Sequence, residues 1–98
     1  MQNKEQQAAD LIREVIKLIN EDFSNPDMSL SDLSLHFGLS EKRITNLLRD
    51  TTGMTFQSYL ESRRMEEANR LLTEGKLSVS QIAEAVGYAP SQHRVKQD

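Results

Sequence analysis

Apolar residues recur every three or four positions along most of this chain, and no window alternates with the two-residue period of a half-buried strand. From Ala8 to about Glu21, the positions Leu11, Ile12, Val15, Ile16 and Ile19 mark one face of an amphipathic helix. Asn25-Pro26 ends it in a loop. Ser29 opens a second helix, with Asp32 three residues on to support the cap and Leu30, Leu33 and Phe37 as its apolar face. Gly38 supplies its stop. Ser40 caps a third helix that runs to about Thr51, with Ile44, Leu47 and Leu48 inward and Gly53 behind it. Thr55 caps a longer helix from Phe56 to about Thr73, whose predicted buried side is Phe56, Tyr59, Leu60, Met65, Ala68, Leu71 and Leu72. Arg64 falls at the border of that face, where a packed stem and an ion-paired head are expected. Past Gly75, Ser78 or Ser80 starts a short helix holding Ile82, Ala83 and Val86 before Gly87. The pattern predicts an all-α domain over residues 8–88, a disordered tail at 1–7 and an irregular or truncated tail at 89–98.

The chain contains an internal repeat. MSLSDLSLHFGL (28–39) aligns with LSVSQIAEAVGY (77–88) at an offset of 49. Ser29 falls on Ser78, Leu33 on Ile82, Ser34 on Ala83, Phe37 on Val86 and Gly38 on Gly87. Two helices joined by a tight turn at a steep angle need a small residue where they cross and Gly, or a substitute, in the turn. Both units supply them. One such unit alone is also an ordinary αα-corner; two at a fixed offset, joined by a helix, point to paired helix-turn-helix units. A bridging helix of about 18 residues is roughly 27 Å long. That suits two reading heads near major-groove faces about 34 Å apart on one side of a duplex.

Composition first argues against such a partner, since the net charge is −3. Its distribution reverses the argument. Residues 5–39 carry −5, residues 40–64 carry +2 and residues 65–98 carry −1, with Lys4 adding +1. A local basic excess is what a phosphate backbone meets. On the third helix the face opposite Ile44, Leu47 and Leu48 is Lys42, Thr45, Asn46 and Arg49. Asn46 can pair bidentately with adenine, Lys42 can reach guanine acceptors, and Thr45 offers a hydroxyl or a methyl. Arg43 and Arg49 suit phosphate, as does Arg63 on the longer helix. Ser29 is a cap first, and the free amides at the start of its helix can also hold a phosphate. With no Cys, disulfides and thiolate metal sites are impossible. Asp32 and His36 are spaced like two metal ligands, but two make no site, so neither a metal nor a cofactor is expected. No run approaches a membrane span, and the N-terminus lacks the pattern of a signal peptide, which fits a cytoplasmic protein. No nucleophile–base set or Gly-rich phosphate loop suggests an enzyme.

The stretch GMTFQSYLESRRMEEANRLL (53–72) followed by SQIAEAVGY (80–88) resembles the DNA-binding region of the AraC/XylS family of bacterial transcription regulators. Gly53, Phe56, Tyr59, Leu60, Arg64, Met65, Ala68, Leu71, Leu72, Ile82, Ala83, Val86, Gly87 and Tyr88 carry the match, which extends from about Leu11 to Tyr88. The resemblance implies a first helix-turn-helix at about 29–52, a linker helix at about 55–73 and the start of a second unit at about 78–88. It further implies that Lys42, Thr45 and Asn46 read bases in double-stranded DNA. The intact regulator would carry a sensing or receiver domain and work with RNA polymerase.

The chain departs from the family after Tyr88. The family's second recognition helix carries two Phe residues, whereas this chain reads SQHRVKQD. At the repeat offset His93 and Lys96 replace the inward Ile44 and Leu47. The second reading head is therefore expected to be weak or absent, leaving apolar surface of Ile82, Val86 and Tyr88 open to self-association. The competing function is a helical protein–protein interaction module without DNA binding.

Overall fold

The computed structural model describes residues 4–88, with side chains from Gln7 onward. Five helices follow one another: α1 Lys4–Asp22, α2 Leu30–Phe37, α3 Glu41–Thr52, α4 Phe56–Glu74 and α5 Val79–Ala85. Among the described residues there is no strand.

Each short helix starts where a side-chain oxygen satisfies an amide that has no partner inside the helix. Ser29 Oγ accepts from Asp32 N (3.1 Å), Ser40 Oγ from Arg43 N (3.1 Å) and Thr55 Oγ1 from Ser58 N (3.2 Å). Ser78 forms a reciprocal pair: its Oγ accepts from Gln81 N (3.2 Å) and its own N donates to Gln81 Oε1 (2.9 Å). Ser78, rather than Ser80, is thus the start of α5.

The repeat is present in the backbone itself. Leu33 N donates to Ser29 O as Ile82 N does to Ser78 O. Leu39 N donates to Ser34 O (3.1 Å) as Tyr88 N does to Ala83 O (3.0 Å). Residues 29–39 and 78–88 therefore share these bonds, although the helix ends close differently, Gly38 N donating to Ser34 O and Gly87 N to Glu84 O. Their glycines differ in surroundings. Gly38 closes α2 in the left-handed region (φ 68°) with open space beside it. Gly87 (φ 107°) is pressed against other backbone, and a Cβ there would lie 2.7 Å from Phe23 O.

One core joins α1–α4: Ile12, Val15, Ile19, Met28, Leu33, Ile44, Leu48, Phe56 and Leu60. Apart from Met28, which lies in the α1–α2 connection, these are the period-matched positions of each helix, and they clamp α3 by its inward edge. Beyond Leu60, α4 runs past this core and is covered on one side by α5, through the buried Ile82 and Val86.

Four expectations need correction. Residues 4–7, expected in a disordered tail, are the first turn of α1. Lys, Glu and Gln are good helix formers and extend a helix already nucleated. Met65 and Leu72 are half exposed (50% and 54%), because the stripe that α4 buries is Phe56, Leu60 and Arg64 and both residues lie about a quarter-turn off it. The open apolar surface at that end belongs to Leu72 and Val79, while Ile82 and Val86 are buried against α4. Arg64 is packed as expected, but its head binds backbone carbonyls rather than an acidic partner. The tail at 89–98 and residues 1–3 lie outside the described residues.

Candidate nucleic-acid interface

Helix α3 is amphipathic in the strict sense that its two faces have different jobs. Ile44 and Leu48 are fully buried. One residue off that register, Lys42, Asn46 and Arg49 form an exposed stripe at spacings of four and three, with Arg43 beside it. Ser40 holds the N-terminal end and Gly53 N closes the other by donating to Arg49 O (2.9 Å). The stripe is thus carried on a helix fixed at both ends and along its inner edge.

The arginines sort into two groups. Arg13 pairs with Asp10 (3.0 Å). Arg70 bridges Glu67 (2.5 Å) and Glu74 (2.6 Å) along α4. The hydrogen bond from Arg70 holds the Glu67 carboxyl below its ordinary range and raises Arg70 in turn. Arg64 is buried on carbonyls. Arg63 donates to Asn20 Oδ1 (2.8 Å), pairs with Glu66 and lies over the Phe23 ring. By contrast, among the described residues the heads of Arg43, Arg49 and Lys42 have no ion pair or hydrogen bond, and neither does the Asn46 amide. Among the described residues, the positive groups left without a protein partner include three side by side on α3.

Thr45 differs from its neighbours on α3. It is half-buried and lines a cleft of about 310 Å³ with Met28, Ser29, Leu30, Thr55, Phe56 and Gln57. The starts of α2 and α4 both border this cleft, so Ser29 and Thr45, expected as contacts of different kinds, share one surface. Sequence reasoning saw Thr55 only as a cap and missed Gln57 altogether. Nothing in the linear pattern tells that two helix N-termini meet beside Thr45. Arg63 is not brought into the same set; its head is committed to the end of α1.

The architecture defines the class first: a small helical domain with a helix-turn-helix whose second helix is exposed on one edge. Comparison with known proteins agrees. Residues 33–96 match a family model described as a helix-turn-helix domain. An HTH-type transcriptional regulator of Bacillus subtilis, YfiF, is 28% identical over 79 residues, covering 81% of this chain and 25% of that protein. The C-terminal domain of AraT, a response regulator from Geobacillus stearothermophilus, superposes with a TM-score of 0.78 at 29% identity, covering 89% of this chain and 71% of that one. The C-terminal domain of the two-component response regulator yesN from Fusobacterium nucleatum gives 0.74 at 31% identity, covering 93% and 91%. The chain belongs to the AraC/XylS family of helix-turn-helix transcription regulators. It spans between 6% and 28% of the length of the curated relatives it matches. Among the described residues no helix is long and apolar enough to cross a membrane.

Proposed function

We propose that this domain binds double-stranded DNA sequence-specifically, as the output domain of a larger transcription regulator, with α3 lying in the major groove. The observation that carries this is the exposed row of Lys42, Arg43, Asn46 and Arg49, without partners among the described residues, on a helix locked from behind by Ile44 and Leu48. A rigid helix is needed because bidentate base recognition tolerates little angular error.

Lys42, Thr45 and Asn46 read base edges, with Asn46 the adenine reader. Arg43 and Arg49 straddle the groove and contact phosphate. The cleft beside Thr45 seats a further phosphate against the amide-presenting start of α2 at Ser29, since a helix N-terminus carries partial positive charge. Arg63 braces α1 and is left out of the interface. The curated relatives include HTH-type transcriptional regulators and activators, which supports an intact protein that works with RNA polymerase. Two helix-turn-helix units, the second beginning at α5, fit the duplicated backbone pattern.

The test is the ionic-strength dependence of binding, followed by fluorescence anisotropy. Phosphate neutralisation releases counterions, so log K falls linearly with log[salt]. Arg43→Ala and Arg49→Ala are each expected to make that slope shallower by about 0.9. Arg63→Ala is expected to leave it unchanged. A slope that Arg43→Ala and Arg49→Ala do not move would remove α3 from the interface.

A further inference from the structure

Arg64 sits where three parts of the chain meet. It projects from the middle of α4, is only 6% exposed, and is the one charged residue buried among the described residues. Its Nε donates to Phe23 O (2.8 Å) and its Nη2 to Asn25 O (3.0 Å), both in the connection between α1 and α2. These two nitrogens lie on one edge of the guanidinium, so the pair forms a fork that fixes direction as well as distance. The Tyr88 ring covers the group at 5.5 Å. Gly87 lies against the same spot: a Cβ there would come within 2.7 Å of Phe23 O and 2.8 Å of Arg64 Nε.

The buried charge has a reason to be there. Helix α1 has no basic residue in its last turn, yet its C-terminal end carries partial negative charge and carbonyls without helical partners. Arg64 supplies the missing cation from 39 to 41 residues away. A cation belonging to α1 itself would satisfy the same end but would join nothing. Supplied from α4 and roofed by Tyr88, it ties the connection that leads from α1 into the first helix-turn-helix to the turn that follows α5.

We infer that Arg64 is a positioning residue: together with Gly87 it sets the angle at which the α5 turn is presented relative to the reading helix α3. The inference rests on α3 as the reading helix only for its consequence on DNA; the joint itself is a property of the free protein. Core packing between the two halves is thin at this end, since α5 meets the rest of the domain chiefly through α4. The fork is therefore what prevents α5 from swinging with the far end of α4. Its two carbonyl acceptors lie in the connection that leads from α1 into α2, so the joint holds the entry to the first unit.

The chain has no cysteine, so spin labels can be placed at will. Ser31→Cys on α2 and Glu84→Cys on α5 are both exposed, and neither side chain is part of the joint. Double electron–electron resonance on this labelled pair is expected to give one narrow distance distribution. Arg64→Met, which keeps the stem and removes the fork, should broaden and displace it. Arg64→Lys, with one donor group and no fork, should recover part of the narrowing. Gly87→Ala keeps Arg64 but pushes the turn away, and should displace the distribution with helical content unchanged by circular dichroism; this arm stands even if Arg64→Met fails to fold. Unchanged distributions in Gly87→Ala and in folded Arg64→Met or Arg64→Lys would overturn the inference. The DNA arm is separate. Base discrimination by Asn46 should survive in Arg64→Lys, so a chain that bound no DNA would refute the proposed function and leave the joint standing.

Discussion

Leu48→Ala is expected to destabilise the domain by about 2–5 kcal/mol, the range for removing a buried leucine and leaving a cavity. Leu48 is fully buried, in the cluster that also holds Val15, Ile19, Ile44 and Leu60. For a chain of this size such a loss lowers the thermal midpoint by roughly 10–30 °C. It is a large part of a total that for small domains is of order 5–15 kcal/mol. DNA affinity should fall with it, because the outward stripe of α3 is in place only while the inward edge is docked. Leu35→Ala is the matched control: the same chemical change at a residue that is 80% exposed should stay within about 0.5 kcal/mol. Urea unfolding of the two variants checks the claim, and equal losses would contradict the assignment of faces on α3 and α2.

Asn46→Ala is expected to act in the opposite way, on binding and not on folding. The side chain is exposed and has no partner within the described residues, and Ala is the better helix former, so stability should hold or rise slightly. On the cognate duplex the loss of a bidentate base contact should cost about 1–3 kcal/mol, or roughly 5- to 150-fold in affinity. On random DNA, where binding rests on phosphate contacts, the change should be small. Anisotropy titrations against both duplexes read the difference. Equal losses on both would assign Asn46 to the backbone rather than to a base.

The helices were legible in the sequence because their signals are local. Ser29, Ser40, Thr55 and Ser78 cap them by bonds that span three residues, and Gly38, Gly53 and Gly75 end them in the left-handed region. The buried edge of α3 was legible for the same reason: the period that places Ile44 and Leu48 inward also places Lys42, Asn46 and Arg49 outward. What could not be read was whatever depends on how far a neighbour reaches. Met65 and Leu72 recur at helical spacing, yet the stripe that α4 buries is Phe56, Leu60 and Arg64, and both lie about a quarter-turn off it. Arg64 looked like a border residue seeking a carboxylate; its partners are carbonyls of Phe23 and Asn25, which carry no side-chain signature. Nothing local to Arg63 showed that Asn20 of α1 and Phe23, just beyond it, would stand beside its head. The cleft that gathers Ser29, Thr45, Thr55 and Gln57 exists only once α2, α3 and α4 have packed.

The duplicated bonds of residues 29–39 and 78–88 also explain why a repeat could be recognised from weak identity. The two segments share few side chains, but they share the positions at which the backbone is capped, crossed and turned. Those positions tolerate little substitution, since each must satisfy a fixed amide, a close helix crossing or a turn.

The most direct test of the central claim is an amide chemical-shift titration of the whole chain with a duplex selected from a random-sequence pool. The account expects the largest perturbations at Lys42, Arg43, Thr45, Asn46 and Arg49, with a second set at Ser29 and Leu30 and little change along α1. Perturbations concentrated on α1 or on the Leu72–Val79 end of the molecule, with α3 unmoved, would contradict it.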